Sequence, residues 1–195
     1  MSEWWREAIE KATCFEDIVM VFRELFPNEV RRPHLSLIGK TDEEKKRFIK
    51  GFVRDVLMHE TDNTGLLVIE TADHLKQSKV LEETGVDIGS PQEILLPSRV
   101  IHVRNRHPEL TEDDWANILD IMRNFDKSYR GLEIGKDKGE RIIFTKAGEP
   151  KETVYIVELF RGKNRGDRLQ VVSYFKDDEN SVKGWLKNHT REKKQ

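Results

Sequence analysis

Cysteine is nearly absent from this chain: Cys14 is the only one among 195 residues. A single thiol excludes an intrachain disulfide and any zinc site built on thiolates. Long apolar runs are missing too. No segment reaches the ~20 residues that a membrane-spanning helix needs, and the opening MSEWWREAIEK is charged and amphipathic, unlike a signal peptide. The expectation is a soluble cytoplasmic protein with no membrane partner. GxSxG, GxxxxGK[ST] and GxGxxG are all absent, which removes the nucleophile elbow and the glycine loops that cradle phosphates. There is no internal repeat and no low-complexity segment.

Charge, by contrast, is plentiful. Charged residues make up 36% of the chain and hydrophobic residues another 36%, enough for a core beneath a highly charged surface. The net charge of −2 is unevenly spread. Residues 1–97 carry 13 Lys and Arg against 19 Asp and Glu, a balance of −6, and residues 98–195 carry 21 against 17, a balance of +4. A basic second half fits a polyanionic partner such as RNA, and equally fits an ordinary solvated surface.

The chain opens with helical patterns. Trp4, Trp5, Ala8 and Ile9 share one side of a short helix over residues 3–12. Thr13 and Glu16 form a capping-box pattern, followed by a stripe of Phe15, Ile18, Val19, Phe22, Leu25 and Phe26 that Pro27 ends. Thr41 and Glu44 repeat that pattern before Phe48, Ile49, Phe52, Val53, Val56 and Leu57. These helices predict an N-terminal helical module over residues 1–62, whose amphipathic surface is a candidate dock for a protein partner. Residues 59–64 read as a hinge, and an α+β domain is expected over 63–190 with a charged tail at 191–195. Within that domain Leu66–Ile69 is of strand length, and Thr71 can cap a helix over 72–84 closed by Gly85. From Tyr129 the period changes from 3.6 to 2, predicting strands at 132–134, 141–146, 153–160 and 168–175. Their short connections predict a four-stranded antiparallel meander, and residues 178–189 a last helix. The expected fold is therefore α+β, with helices packed on that meander.

The chemistry concentrates in SRVIHVRNRHPELTEDDWANILDIM, residues 98–122. Leu96, Val100 and Val103 mark the inward face of a short helix, and Arg99, His102 and Arg106 fall together on another face. Pro108 ends that helix, and Thr111 with Asp114 starts the next. His102 and His107 are five apart, roughly 140° around a helix, which does not suit the HExxH arrangement. No metal or other cofactor is therefore expected. A metal-free acid–base set fits instead. Cleavage of RNA by its own 2′-hydroxyl needs a base, an acid and cations for the phosphorane. His102 and His107 are candidates for base and acid, and Arg99, Arg104, Arg106 and Lys146 for the cations. Each also has an ordinary structural reading: His107 can cap the Val100/Val103 stripe, Lys146 can be a surface lysine, and Ser173 can be a small residue beside Leu169 and Val171.

The HVRNRHPELT core and the order of elements resemble the phage-associated nuclease domains of the barnase/EndoU/colicin/RelE-like fold, over about residues 66–189. The resemblance implies a metal-independent, toxin-like endoribonuclease of phage or prophage origin that forms a 2′,3′-cyclic phosphate. It points to His102 and His107 in the helix motif and to Ser173 in VVSYF as catalytic, while Lys146 is only a plausible basic position. The acidic N-terminal module lies outside the resemblance. The alternative expectation is a non-catalytic phage accessory or interaction protein that retains the fold.

Overall fold

The computed structural model describes residues 4–27, 32–60, 64–132, 139–150, 152–162 and 168–191. In chain order these form α1 (Trp4–Lys11), α2 (Phe15–Leu25), β1 (His34–Ser36), α3 (Asp42–Met58) and β2 (Leu66–Thr71). A 3-10 turn (Ala72–His74), α4 (Gln77–Thr84), β3 (Gln92–Leu95), α5 (Pro97–Arg106), α6 (Glu112–Ala116) and α7 (Ile118–Arg123) follow. The remainder is β4 (Lys127–Arg130), β5 (Gly139–Ala147), β6 (Thr153–Gly162), β7 (Arg168–Asp178) and α8 (Glu179–His189). The chain is α+β. It divides into two compact units, Met1–Ile69 with Leu95–Asn117, and Glu70–Ile94 with Ile118–Gln195. The expected boundary at 62/63 would have grouped the Arg/His helix with the strands; here it clusters with the N-terminal helices.

In the first unit α3 is central and packs against α2, α5 and α6. Its stripe of Phe48, Ile49, Phe52, Val53 and Val56 is fully buried. Phe15 of α2 meets Phe52 edge to face at 5.4 Å. The helices approach closely at Gly51, where an added Cβ would lie 2.7 Å from Phe15 Cβ. Thr41 caps α3 as expected, its hydroxyl accepting from Glu44 N–H at 3.3 Å while the Glu44 carboxylate accepts from Thr41 N–H at 2.8 Å. For α2 the box shifts by one residue: Asp17, not Glu16, reaches back to Thr13 N–H at 3.0 Å. Strands β1 and β2 pair in parallel, with Leu35 opposite Leu67. Arg32, 5% exposed, ties the end of α3 to the chain through its Nε and Asp55 Oδ2 at 2.6 Å.

The second unit holds strands in the order β3-β7-β6-β5-β4. β4 to β7 are antiparallel, and β3 joins β7 in parallel, Glu93 opposite Leu169. Seven strands are thus described in the chain, mixed in direction, which corrects the expected four-stranded meander. Ile94 and Leu95 belong to β3, whose strand partner β7 lies about 75 residues later, beyond the reach of local alternation. The first described strand of the antiparallel set is Lys127–Arg130, and most of the predicted strand at 132–134 lies outside the described residues. The same holds for residues 61–63 of the expected hinge and 192–195 of the expected tail.

Successive residues of a strand point to opposite faces. Phe144 stacks on Phe125 at 4.5 Å, next to α7. Ile143 instead joins Ile156, Phe175 and Val182 of α8. The helices α7 and α8 therefore cover opposite faces of this sheet. The helix expected over 72–84 is interrupted: Leu75 is extended, and Gln77 Nε2 donates to Ala72 O at 3.2 Å and Gly89 O at 2.8 Å. Beyond it α4 ends at Gly85 in the left-handed conformation, φ 72°, where glycine alone carries no Cβ penalty.

Candidate functional site

Proline at the first position of α5 suits a helix start, because its missing N–H would have no intrahelical acceptor there. Val100 and Val103 are fully buried, which fixes the rotation of the helix. His102, Arg104 and Arg106 are then exposed, and Arg99 half-buried, as the helical wheel requires.

His102 has its imidazole pKa lowered below the usual histidine value, first because the protein-facing part of the ring is desolvated. The Arg106 and Arg99 guanidiniums and His107 add to the effect by repelling a second positive charge. The ring is therefore neutral near pH 7, with a lone pair available as a proton acceptor, and two guanidiniums stand nearby that can hold an anion.

The other residues of this stretch shape the end of the helix. His107 is its C-terminal cap, donating its N–H to Val103 O at 2.7 Å, and its Nδ1 lies 3.4 Å from Glu109 Oε1. Arg104 Nη1 donates to Pro108 O at 2.7 Å, closing the turn into the proline. The Thr111–Asp114 box forms as predicted, with Thr111 N–H 2.8 Å from Asp114 Oδ2. Trp115 beyond it is 2% exposed.

Lys146 and Ser173 belong to the second unit and the two histidines to the first. The structure does not bring Lys146 and Ser173 together. Lys146 shares the face of Phe144 and donates to Asn124 O at 3.0 Å. Ser173 pairs with Glu158 and so shares the opposite face, beside a bulge at Glu158/Leu159. Glu158 is 7% exposed and accepts from Arg141 Nη1 at 2.8 Å. The Arg141 guanidinium lies 5.0 Å from the Phe160 ring, and its Nε is buried without a hydrogen-bond partner.

Sequence reasoning missed a buried acid–base group in the second unit. Glu93 of β3 is fully buried, and its Oε2 lies 2.7 Å from His74 Nε2. Burial pushes the Glu93 carboxyl pKa up; the hydrogen bond and charge of His74 oppose that shift, Glu70 adds to it, and Arg123 opposes it. Glu93 Oε1 and His74 Nδ1 are both buried without a partner. A glutamate set directly against Ile94–Leu96 was the signal available for it.

Among the described residues, no group of three or more His, Cys, Asp or Glu could hold a metal ion, and no helix is long and apolar enough to cross a membrane. Comparison with family models, curated proteins and solved structures finds no match in any of the three.

Proposed function

We propose that this chain is a metal-independent RNA endonuclease centred on α5, as the resemblance of HVRNRHPELT to phage-associated nuclease domains implies. The observation that carries the reading is His102, an exposed imidazole held neutral among guanidiniums. The neutral ring takes the proton of a ribose 2′-hydroxyl, whose oxygen attacks the adjacent phosphorus. Arg99 and Arg106 balance the charge that builds on the phosphorane oxygens, with Arg104 beside them on the backbone. A protonated His107 gives its proton to the departing 5′-oxygen. The products are a 2′,3′-cyclic phosphate and a 5′-hydroxyl, and His102 and His107 exchange protonation states over the cycle. Lys146 and Ser173 lie in the other unit, on opposite faces of its sheet, and take no step in this scheme. A phage or prophage origin and a cytoplasmic site of action belong to the same reading.

The test is incubation with structured RNA in EDTA. Cleavage by the wild type with loss of ~10²-fold or more in His102→Ala supports it. No wild-type cleavage, or cleavage by His102→Ala and His107→Ala equal to that of the wild type, overturns it.

One observation favours a second reading, a non-catalytic interaction protein. In the first unit α2 and α3 border a groove of about 240 Å³, lined by Phe15, Val19, Met20 and Met58 between charged rims. Met20 and Met58 are 68% and 69% exposed. Flexible methionines at an apolar groove suit a partner's side chains. On this reading the protein forms a stable complex in light scattering and binds no RNA; an inert monomer counts against it.

A further inference from the structure

Three lysines of the second unit converge on the segment Asn124–Asp126, between α7 and β4. Lys146 donates to Asn124 O at 3.0 Å and Lys79 to Asp126 O at 2.5 Å. The Lys79 ammonium also lies 5.1 Å from the Phe125 ring centroid, and the Lys76 ammonium 5.7 Å from it. Part of this arrangement is structural. Lysines near the C-terminus of a helix satisfy its last carbonyls and its negative dipole end. That role occupies one N–H each on Lys79 and Lys146, leaving two on either ammonium.

It does not explain Lys76, which is exposed and meets neither a carbonyl nor a carboxylate within bonding distance among the described residues. One neighbouring acid pairs with the group, and two more lie nearby with their oxygens on backbone and amide donors. Glu83 Oε2 accepts from both Ser128 N–H and its hydroxyl at 2.6 Å, and Glu83 Oε1 reaches only Lys79, at 3.9 Å. Asp126 Oδ2 accepts from Ala147 N–H at 2.7 Å, and Asp120 Oδ1 from Asn124 Nδ2 at 2.7 Å. Lys146 has no carboxylate within ion-pair distance among the described residues. Lys76 and Lys146 have no carboxylate at ion-pair distance among the described residues, and all three ammoniums keep N–H donors for an anion.

We propose that Lys76, Lys79 and Lys146 form a seat for the phosphates of an RNA backbone, an inference that rests on the RNA reading above and adds a binding track to it. Lysines act there as point charges and not as a base-reading fork, so the seat is indifferent to sequence. It also gives Lys146 a role as one of three binding cations, in place of the phosphorane-stabilising cation expected of it.

The experiment uses the full chain and a single-stranded 2′-O-methyl RNA, which cannot be cleaved through its 2′-oxygen, titrated at several salt concentrations. The expected result is wild-type binding that weakens with salt. In Lys76→Gln/Lys79→Gln/Lys146→Gln the affinity drops about tenfold and the log–log salt slope falls by ~2. Lys76→Gln alone, which removes no hydrogen bond, gives a smaller loss in a protein whose melting is unchanged, and Lys76→Arg restores it. Unchanged affinity and slope in the triple variant overturn the seat, as does wild-type protein that binds no RNA. So does a poly-glutamate peptide whose binding depends on the three lysines while RNA binding does not. Salt-dependent binding through these lysines with no cleavage of ordinary RNA leaves the seat standing and removes the nuclease reading.

Discussion

His102 and His74 show how differently one side chain is used in the two units. His102 stands exposed on α5 beside Arg99 and Arg106, with no hydrogen-bond partner on its ring among the described residues and with its pKa lowered. His74 is 13% exposed and held at 2.7 Å by a fully buried glutamate. The first ring can exchange a proton with a ligand because it has been kept neutral and accessible. The second has its proton chemistry enclosed: Nε2 faces Glu93, and Nδ1 meets neither protein partner nor solvent. A buried pair of this kind specifies how β3 sits against the 3-10 turn, and breaking it exposes the desolvation cost of the partner left behind. Reactivity and fold energy are therefore assigned to different histidines.

The largest expected effect tests that assignment through stability. Glu93→Ala removes one member of the buried pair and should destabilise the protein by about 3–5 kcal/mol in urea denaturation. His74→Leu/Glu93→Leu, which removes both polar groups and refills the space, should recover most of that loss. A double variant as unstable as Glu93→Ala would mean that the pair is not what the fold depends on at this point.

Smaller is the contribution of the cap that follows α5. Thr111→Ala deletes the hydroxyl that accepts from Asp114 N–H at 3.2 Å and should cost about 1 kcal/mol. Hydrogen exchange should localise the loss to α6 and leave the strands β5–β7 protected as before.

The pH dependence should have opposite signs in the two regions. Glu93 binds its proton more tightly folded than unfolded, because burial raises it above the ordinary value of 4.5. Its contribution is complete below about pH 4.5 and is lost as pH rises through the folded value. For His102 the folded value lies below the ordinary 6.5, so its contribution is present above that pH and is lost as pH falls through the folded value. Exchange protection, corrected for intrinsic rates, should fall with rising pH around β3 and with falling pH around α5. Glu93→Gln should abolish only the first trend, and His102→Gln only the second.

The smallest effect is the most diagnostic for the contrast. His102→Ala should change stability by no more than ~0.5 kcal/mol, since an exposed side chain away from caps and core carries little fold energy. A loss comparable to that of Glu93→Ala would place His102 among the structural residues.

Local rules made much of this legible. The wheel through Val100 and Val103 placed Arg99, His102 and Arg106 outside, and the boxes at Thr41 and Thr111 formed where the spacing required. Period-2 alternation found β5, β6 and β7, and Gly85 marked the end of α4. What escaped depends on distant partners. Strand β3 is four residues long and pairs in parallel with β7, so nothing in its own alternation announces it. Glu93 beside Ile94 reads equally as a solvated acid until His74, 19 residues earlier, is seen against it. Lys146 and Ser173 were plausible singly, and only strand register shows that they face opposite ways. The α2 box moved by one residue because Asp17 offers the shorter carboxylate to the same backbone donors.

The central claim is that the neutral imidazole of α5 cleaves RNA. The direct measurement is product analysis in EDTA of an RNA carrying one ribose in an otherwise 2′-deoxy strand, with wild-type protein and with His102→Ala shown to melt alike. The account predicts a single cut 3′ of that ribose ending in a 2′,3′-cyclic phosphate, reduced ~10²-fold or more by the substitution. An uncut strand, or equal cutting by both proteins, would contradict it.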